Sequence, residues 1–209
     1  MMLKSISLCI KRIFDYIFAI LLSIFAIPII CIAVFFIKIV SPEAHAIFRQ
    51  QRIGYRGKLF IIYKIRSMTN ERDAKGNLLS DEIRLKKWGK IIRATNIDEL
   101  TQIWNILKGE MSWIGPRPLL PEEMTVMSVQ DQDKRQSMLP GISGWEAVNE
   151  EKTSTREAMA KYDLYYIDHW SLWLDIKIFL KTVMIIFLKL RPDDSLRAPK
   201  MTKKKEAIK

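Results

Sequence analysis

The sequence predicts a mainly α-helical fold with one small β-hairpin, held at a membrane by its N-terminal segment. Three observations lead to this prediction. Residues 17–37 carry no formal charge, residues 46–65 hold two extended runs around a glycine-containing turn, and later segments place basic residues beside apolar ones at helical spacing. We expect a re-entrant membrane hairpin over residues 1–40, a compact membrane-associated domain over residues 41–190, and a basic, disordered tail over residues 191–209.

Residues 17–37 are about as long as the twenty or so residues that cross a bilayer. Pro28 lies near their middle, where it removes a helical hydrogen bond and favours a kink. Basic residues flank both ends, and a single crossing cannot place both flanks on the cytoplasmic side. The flanking residues are Lys4, Lys11 and Arg12 before the run, and Lys38, Arg49, Arg52, Arg56 and Lys58 after it. A helix–break–helix that enters and leaves by the cytoplasmic face satisfies both flanks; a kinked single span is the alternative.

The domain begins with the predicted hairpin at residues 46–65, whose turn falls around residues 52–58. After a polar loop at residues 70–77, Ser80 is a plausible N-cap, with Asp81 and Glu82 in the first turn of a helix. That helix carries basic residues beside apolar positions such as Trp88. It either lies at a headgroup interface or presents a solvated face over a protein core.

A second helix is predicted to begin at Asn96, with Glu99 completing a capping box and Lys108–Gly109 providing the stop. On a helical wheel, Asp98 points away from the apolar face and Glu99 lies at its margin. The apolar face comprises Leu100, Ile103, Trp104 and Leu107, and Gln102 and Asn105 share the other side of the wheel with Asp98.

Residues 114–121 form a proline-stiffened coil in this prediction, and residues 139–145 a turn-rich loop. Residues 170–190 are strongly apolar but interrupted by four charges, so an interfacial or packed amphipathic helix is favoured over a second span.

The chain has 34 basic and 23 acidic residues, for a formal net charge of +11. This surplus suits nucleic acid, an anionic bilayer surface or phosphorylated substrates. The basic residues lack a recognisable nucleic-acid fold motif, so no nucleic-acid partner is expected. Cys31 lies inside the apolar run, which argues against a disulfide with Cys9 and fits a reducing compartment. His45 and His169 are far apart, so a histidine metal site or a Ser–His triad has little support.

The adjacent carboxylates Asp98 and Glu99 are the strongest chemical feature. An Asp–Glu pair in the first turn of a helix usually serves capping and the helix dipole alone. Here Asp98 projects from a helix N-terminus, where backbone N–H groups are expected to favour its ionised form and to attract phosphate. Arg93 and Arg117 are near in sequence and offer planar donors to phosphate oxygens.

Several motifs in order resemble the bacterial sugar transferases, in particular the small monotopic phosphoglycosyl transferases that load a phosphosugar onto a polyprenol phosphate. The resemblance covers roughly residues 11–186. Its motifs are KRIFD at residues 11–15, YKIRSM at 63–68, NLLSDEIRLKKWGKIIR at 77–93, IDEL at 97–100, LKGEMS at 107–112, GPRPLLP at 115–121 and LPGISGW at 139–145.

The resemblance implies an enzyme at the cytoplasmic face of the bacterial inner membrane, with a UDP-sugar and undecaprenyl phosphate as its substrates. Asp98 would attack the sugar-linked phosphate, releasing UMP and leaving a covalent phosphosugar intermediate. Glu99 would help bind Mg²⁺, and Arg117 and Arg93 would steady the phosphate and the carboxylate pair. The remaining residues that the resemblance assigns to substrate binding are Lys64 and Asp163.

Two departures from the family pattern stand out. The family usually has Ser before the membrane-helix proline, where this chain has Ile27. The family also often has QVNGR in the loop where this chain runs AVNEEKTSTR from Ala147, with Glu150 and Glu151 in place of Gly and Arg, so no site residue is assigned there.

Two alternatives to an active transferase are kept. One is a membrane-anchored, non-catalytic basic scaffold that binds anionic lipid or nucleic acid, and the other is a diverged, inactive family member.

Overall fold

The computed structural model describes residues 2–152 and 155–190, so the tail predicted over residues 191–209 lies outside the described residues. The fold is mostly helical, as the sequence predicts, and it contains two small sheets where one hairpin was expected. The α-helices are α1 Met2–Val40, α2 Asp81–Arg84, α3 Lys87–Ala94, α4 Ile103–Leu107, α5 Val129–Arg135, α6 Arg156–Asp168 and α7 Leu172–Leu190. The strands are β1 Ile47–Ile53, β2 Leu59–Ile65, β3 Ser112–Ile114 and β4 Gly141–Ser143. Short 3-10 helices cover Tyr55–Gly57, Ile97–Gln102, Pro121–Val126 and Ala147–Lys152.

The N-terminal helix α1 is continuous over 39 residues, with Pro28 inside it. The break predicted at Pro28 is therefore not seen as an interruption of the helix, and re-entry stays a prediction. Among the described residues, α1 is the one helix whose length and hydropathy suffice for a membrane span. Most of its large apolar side chains are exposed, whereas Ala19, Ala26 and Ile37 are buried against the rest of the protein.

Polar contacts tie the first turns of α1 to the domain. Lys11 pairs with Asp175 of α7, with 2.7 Å between Nζ and Oδ2. Asp15 accepts a hydrogen bond from the hydroxyl of Ser112, the first residue of β3, at 3.0 Å. Further along, Ile37 packs in one cluster with Ile65 and Ile92. The domain therefore covers one side of α1 from near its beginning almost to its end.

The predicted hairpin is confirmed, with β1 and β2 antiparallel from Ile47 opposite Ile65 to Ile53 opposite Leu59. The helix predicted after Ser80 is instead two pieces, α2 and α3, interrupted at Leu85 and Lys86. Ser80 occupies the N-cap position of α2 without a side-chain capping bond.

The segment from Asn96 departs most from its prediction. The capping box is wrong: Asn96 adopts a left-handed conformation with φ 53° and makes no side-chain capping bond, and a six-residue 3-10 helix precedes the five-residue α4. A 3-10 helix has about three residues per turn, so side chains rotate away from the positions on an α-helical wheel. Trp104 is accordingly 57% exposed, while Asn105 is fully buried. The predicted stop is confirmed, since Gly109 ends the helix with φ 81°.

Asn105 explains why the polar side of α4 faces inward. Its amide group donates to the Ile61 carbonyl at 2.7 Å and to Glu110 at 2.7 Å. Its oxygen accepts the Tyr63 backbone N–H at 3.4 Å. These bonds fasten α4 to β2, so burial of the amide is compensated.

A short parallel sheet of β3 and β4 was not predicted from the sequence. Ser112 lies opposite Gly141, and Ile114 opposite Ser143. The two segments approach so closely that a Cβ atom added to Gly115 would lie 2.3 Å from the Leu139 carbonyl oxygen. Glycine is thus required where the loop after β3 packs on the segment around β4.

Helix α7 forms as predicted, and its Asp175 and Lys181 side chains contact the rest of the domain. Asp175 receives Lys11 together with the Tyr166 hydroxyl at 2.7 Å and the Trp170 indole N–H at 3.2 Å. The Lys181 ammonium lies 5.1 Å from the centroid of the Trp145 ring, a cation–π contact. An amphipathic helix packed on the domain accounts for charges that a membrane span would not tolerate.

Candidate active site

The tertiary structure brings Lys64, Glu99 and Arg117 to one polar cleft, from β2, the Ile97–Gln102 helix and the loop after β3. Lys64 Nζ lies 2.9 Å from Glu99 Oε1, and both side chains are about one-third exposed. The cleft has a volume of about 60 Å³. The titratable and amide side chains on its walls are Arg52, Lys64, Glu99, Gln102, Arg117 and Glu146.

Asp98 lies beside this cleft in an environment that resists its ionisation. Burial raises the pKa of the Asp98 carboxyl above its ordinary value, and the neighbouring Glu99 charge adds to the increase. Lys64, a backbone hydrogen bond and Arg93 lower the pKa in part. The sequence argument that backbone N–H groups favour the ionised form is thus outweighed by burial.

Arg93, on α3, is held at the rim rather than in the polar cleft. Its guanidinium donates to the Ser67 hydroxyl at 2.9 Å and contacts the Met68 sulfur at 2.9 Å. Its charge reaches Asp98, where it lowers the carboxyl pKa. Arg93 can therefore steady an ionised Asp98 from outside the cleft.

Arg117 is exposed, and its guanidinium forms no ion pair with any residue in the described ranges. Its backbone, in contrast, is fixed. Arg135 donates a hydrogen bond to the Arg117 carbonyl and forms a buried ion pair with Asp163, with 2.6 Å between Nη2 and Oδ2. A free guanidinium on a fixed backbone is suited to receive a phosphate.

Asp163 is placed apart from the polar cleft. It is buried on α6, where burial raises the pKa of its carboxyl and Arg135 offsets the increase. Together with Arg117 it lines a separate cavity of about 140 Å³. In this arrangement Asp163 binds Arg135, which in turn donates to the Arg117 carbonyl.

Arg52 is a site residue that the sequence reasoning treated only as a flanking charge. Its guanidinium donates to the Pro118 carbonyl at 3.1 Å and lies 3.4 Å from Glu123. Its Nε atom is buried and has no hydrogen-bond partner within the described part of the chain. Burial and the nearby Arg117 charge lower the pKa of Arg52. Two guanidinium groups facing one cleft are consistent with an anionic ligand between them.

Glu146 was also not singled out, although it is only 3% exposed and lines the polar cleft. No signal in the sequence marks it, because its position depends on the packing of the loop at Gly144 against Gly115. The divergent loop lies next to it. The side chains of Glu150 and Glu151 fall outside the described residues, so their effect on the site stays a prediction.

Asp98 and Glu99 are the site's candidate carboxylate ligands for a metal ion. Across residues 2–152 and 155–190, no group of three or more Asp, Glu, His or Cys side chains could hold a metal ion. Magnesium, however, is commonly bound through one or two carboxylates together with substrate phosphates. The half-buried Glu99 carboxylate, with Asp98 adjacent, fits this requirement.

A larger apolar cleft of about 430 Å³ adjoins the polar one, and we call it the α1–α7 cleft. Its walls include Phe18 and Leu22 of α1 and Phe179, Val183 and Ile186 of α7. It shares Glu99, Arg117 and Glu146 with the polar cleft. Glu99 and Arg117 therefore lie where the polar cleft opens into an apolar cleft between α1 and α7, an arrangement that suits a ligand with both an anionic and an apolar part.

Comparison with known proteins identifies the family of the chain. The family model for bacterial sugar transferases matches residues 6–189, so the chain belongs to that family. It is 46% identical over 175 residues to EpsL of Bacillus subtilis, described as an uncharacterized sugar transferase, covering 83% of this chain and 85% of EpsL.

Relatives with named activities are longer. The chain is 39% identical to a UDP-glucose:undecaprenyl-phosphate glucose-1-phosphate transferase of Klebsiella pneumoniae, over 89% of this chain and 42% of that protein. It is 33% identical to an undecaprenyl-phosphate galactose phosphotransferase of Salmonella typhimurium, over 88% of this chain and 41% of that protein. The chain thus spans less than half of these two relatives.

Proposed function

We propose that this protein transfers a sugar-1-phosphate from a UDP-sugar to a polyprenol phosphate, with release of UMP. The observation that carries the proposal is that Lys64, Glu99 and Arg117 line the polar cleft, with Asp98 next to Glu99 and within electrostatic reach of Lys64 and Arg93. The names of the relatives, which include undecaprenyl-phosphate sugar phosphotransferases, support the same substrates.

The reaction proceeds in two displacements at phosphorus. An ionised Asp98 oxygen attacks the sugar-linked phosphorus of the UDP-sugar, the bond from that phosphorus to the UMP oxygen breaks, and UMP leaves with the electron pair. A phosphate oxygen of the polyprenol phosphate then attacks the same phosphorus and displaces Asp98. The product is a polyprenol diphosphate sugar, and the carboxylate is regenerated.

The cations of the site offset the negative charge that repels a carboxylate nucleophile. Arg117, which has no ion-pair partner among the described side chains, binds a phosphate of the donor, and Arg52 points a second guanidinium at the same cleft. Lys64 holds Glu99 and partly offsets the rise in the Asp98 pKa, which favours the ionised nucleophile. Mg²⁺ held by Glu99 would neutralise further charge on the diphosphate.

The way in which α1 is attached to the domain supports a helix that enters and leaves the inner membrane by its cytoplasmic face. A helix that crosses a bilayer places its two ends on opposite faces, so a hydrated domain on one face can contact only one of them. Here the domain contacts α1 through Lys11, Asp15 and Ala19 near one end and through Ile37 near the other. A shallow or re-entrant α1 keeps the domain at the level of the headgroups, where a polyprenol phosphate is in reach.

The test is UMP release from a panel of UDP-sugars by the full chain in detergent or lipid discs with Mg²⁺. Asp98→Asn should abolish UMP release even without the lipid acceptor, because the first displacement needs an ionised carboxylate. Asp81→Asn, at an exposed carboxylate on α2, is the matched control and should retain activity. Full turnover by Asp98→Asn removes Asp98 from the mechanism, and no UMP from any donor with the unaltered chain would favour the non-catalytic scaffold.

A further inference from the structure

The α1–α7 cleft is larger and more apolar than the phosphate chemistry of the site requires. We propose that it binds the isoprenoid chain of the polyprenol phosphate, with the phosphate end beside Arg117 and Glu99. This inference rests on the proposed function, and it assigns a place to the lipid acceptor that the polar cleft alone does not provide.

The polarity of the cleft changes along its walls in the way that such a ligand requires. One part of its lining consists of the charged side chains that it shares with the polar cleft, Glu99, Arg117 and Glu146. The side chains contributed by α1 and α7 are hydrocarbon and aromatic, for example Leu22, Val183 and Ile186, except for Thr182, whose hydroxyl is hydrogen-bonded within the protein. A sugar or a nucleotide would leave its polar groups without hydrogen bonds against those walls. An isoprenoid chain would not.

Three aromatic side chains form another part of the cleft wall. Phe18 lies edge-on to Trp113 with 4.9 Å between ring centroids, and edge-on to Phe179 with 5.7 Å. The same three rings line a second apolar cavity of about 380 Å³ that reaches the Lys11–Asp175 pair. The rings therefore stand between the two cavities and direct a chain in the α1–α7 cleft away from that buried ion pair.

The size of the cleft sets it apart from a packing defect. Protein interiors contain few voids larger than a water molecule, whereas ligand sites commonly measure about 300–1,000 Å³. At about 430 Å³ the cleft belongs with the ligand sites. The helices that flank it also present apolar side chains outward, including Leu21 and Leu180, so a chain can continue from the cleft into the bilayer.

The test measures binding of undecaprenyl phosphate to the full chain in detergent, without any UDP-sugar. Val183→Trp places an indole inside the cleft, and Met184→Trp, on the exposed side of the same helix turn, is the matched control. We expect Val183→Trp to weaken binding by about tenfold or more, because an overpacked cleft excludes the chain. Met184→Trp should bind as the unaltered protein does. Ile186→Trp provides a second cleft variant if Val183→Trp does not fold.

Equal affinities of the cleft variants and the control would overturn the proposal. Displacement of undecaprenyl phosphate by an equimolar amount of phosphatidylglycerol would also overturn it, since the cleft would then accept any lipid chain. Binding does not depend on Asp98 chemistry, so failure of the proposed reaction leaves this measurement intact. In an active preparation, the cleft variants should still release UMP without acceptor while losing transfer to the lipid.

Discussion

The buried ion pair between Lys11 and Asp175 offers a sharp test of how α1 is held to the domain. The side chains are only 8% and 11% exposed, and Asp175 also accepts hydrogen bonds from Tyr166 and Trp170. Asp175→Asn keeps the shape but removes the charge, and it leaves the Lys11 ammonium buried without a counter-ion. Removing one partner of a buried pair costs about 3–5 kcal/mol of unfolding free energy.

That loss translates into a measurable change in thermal stability. For a chain of this size, about 1 kcal/mol corresponds to roughly 2–4 °C, so the midpoint should fall by about 6–20 °C. Thermal unfolding of the purified protein in one detergent, followed by near-UV circular dichroism, measures the shift. Asp168→Asn is the matched control, because its pair with Lys134 is exposed and such pairs contribute about 1 kcal/mol or less.

Two outcomes would refute the reasoning. Equal midpoints for Asp175→Asn and Asp168→Asn would show that burial of the pair carries no penalty when one charge is lost. Failure of Lys11→Met to recover part of the stability in the Asp175→Asn background would show that the unpaired ammonium is not the cause.

Three further predictions concern the site itself. Arg52→Ala should raise the KM for the UDP-sugar about tenfold or more, because it removes a charge-assisted phosphate contact. Steady-state kinetics measure this change, and Arg72→Ala, at an exposed arginine, is the control. Asp98→Asn should stabilise the fold at neutral pH, because the raised pKa of Asp98 makes its ionised form unfavourable in the folded state. That gain in stability should disappear below the ordinary Asp pKa of 3.8, because Asp98 is then protonated in both the folded and the unfolded chain. A gain that stays constant from about pH 7 to about pH 3, across the range in which Asp side chains usually titrate, would contradict this origin. Gly115→Ala should lower both stability and activity, because its Cβ would meet the Leu139 carbonyl oxygen at 2.3 Å, and a normal melting midpoint would show that the two loops can separate at little cost.

Local patterns in the sequence were sufficient for the elements whose stability is local. The hairpin formed at Ile47–Ile65, where β-branched runs flank a glycine-containing turn, and Gly109 ended the helix where a left-handed residue was expected. The apolar segment and α7 followed from composition in the same way. Each of these depends on residues within a few positions of one another.

The errors arose where distant contacts decide the conformation. The capping box at Asn96 was wrong, because the segment forms a 3-10 helix and docks on β2 through Asn105, whose partners are about forty residues away in sequence. The β3–β4 sheet was missed because two three-residue strands carry too few residues to show a pattern. Arg52 and Glu146 were missed as site residues because only packing brings them to Lys64 and Arg117.

The order of residues by itself determined the long apolar segment, the carboxylate pair and the membership in a family of sugar transferases, because charge, hydropathy and motif depend on neighbouring positions. Only the tertiary structure decided which side chains share a cleft, how burial raises the pKa of Asp98, and that an apolar cleft between α1 and α7 ends at the same charges. These properties depend on distances between residues far apart in the chain, and such distances exist only once the chain has packed.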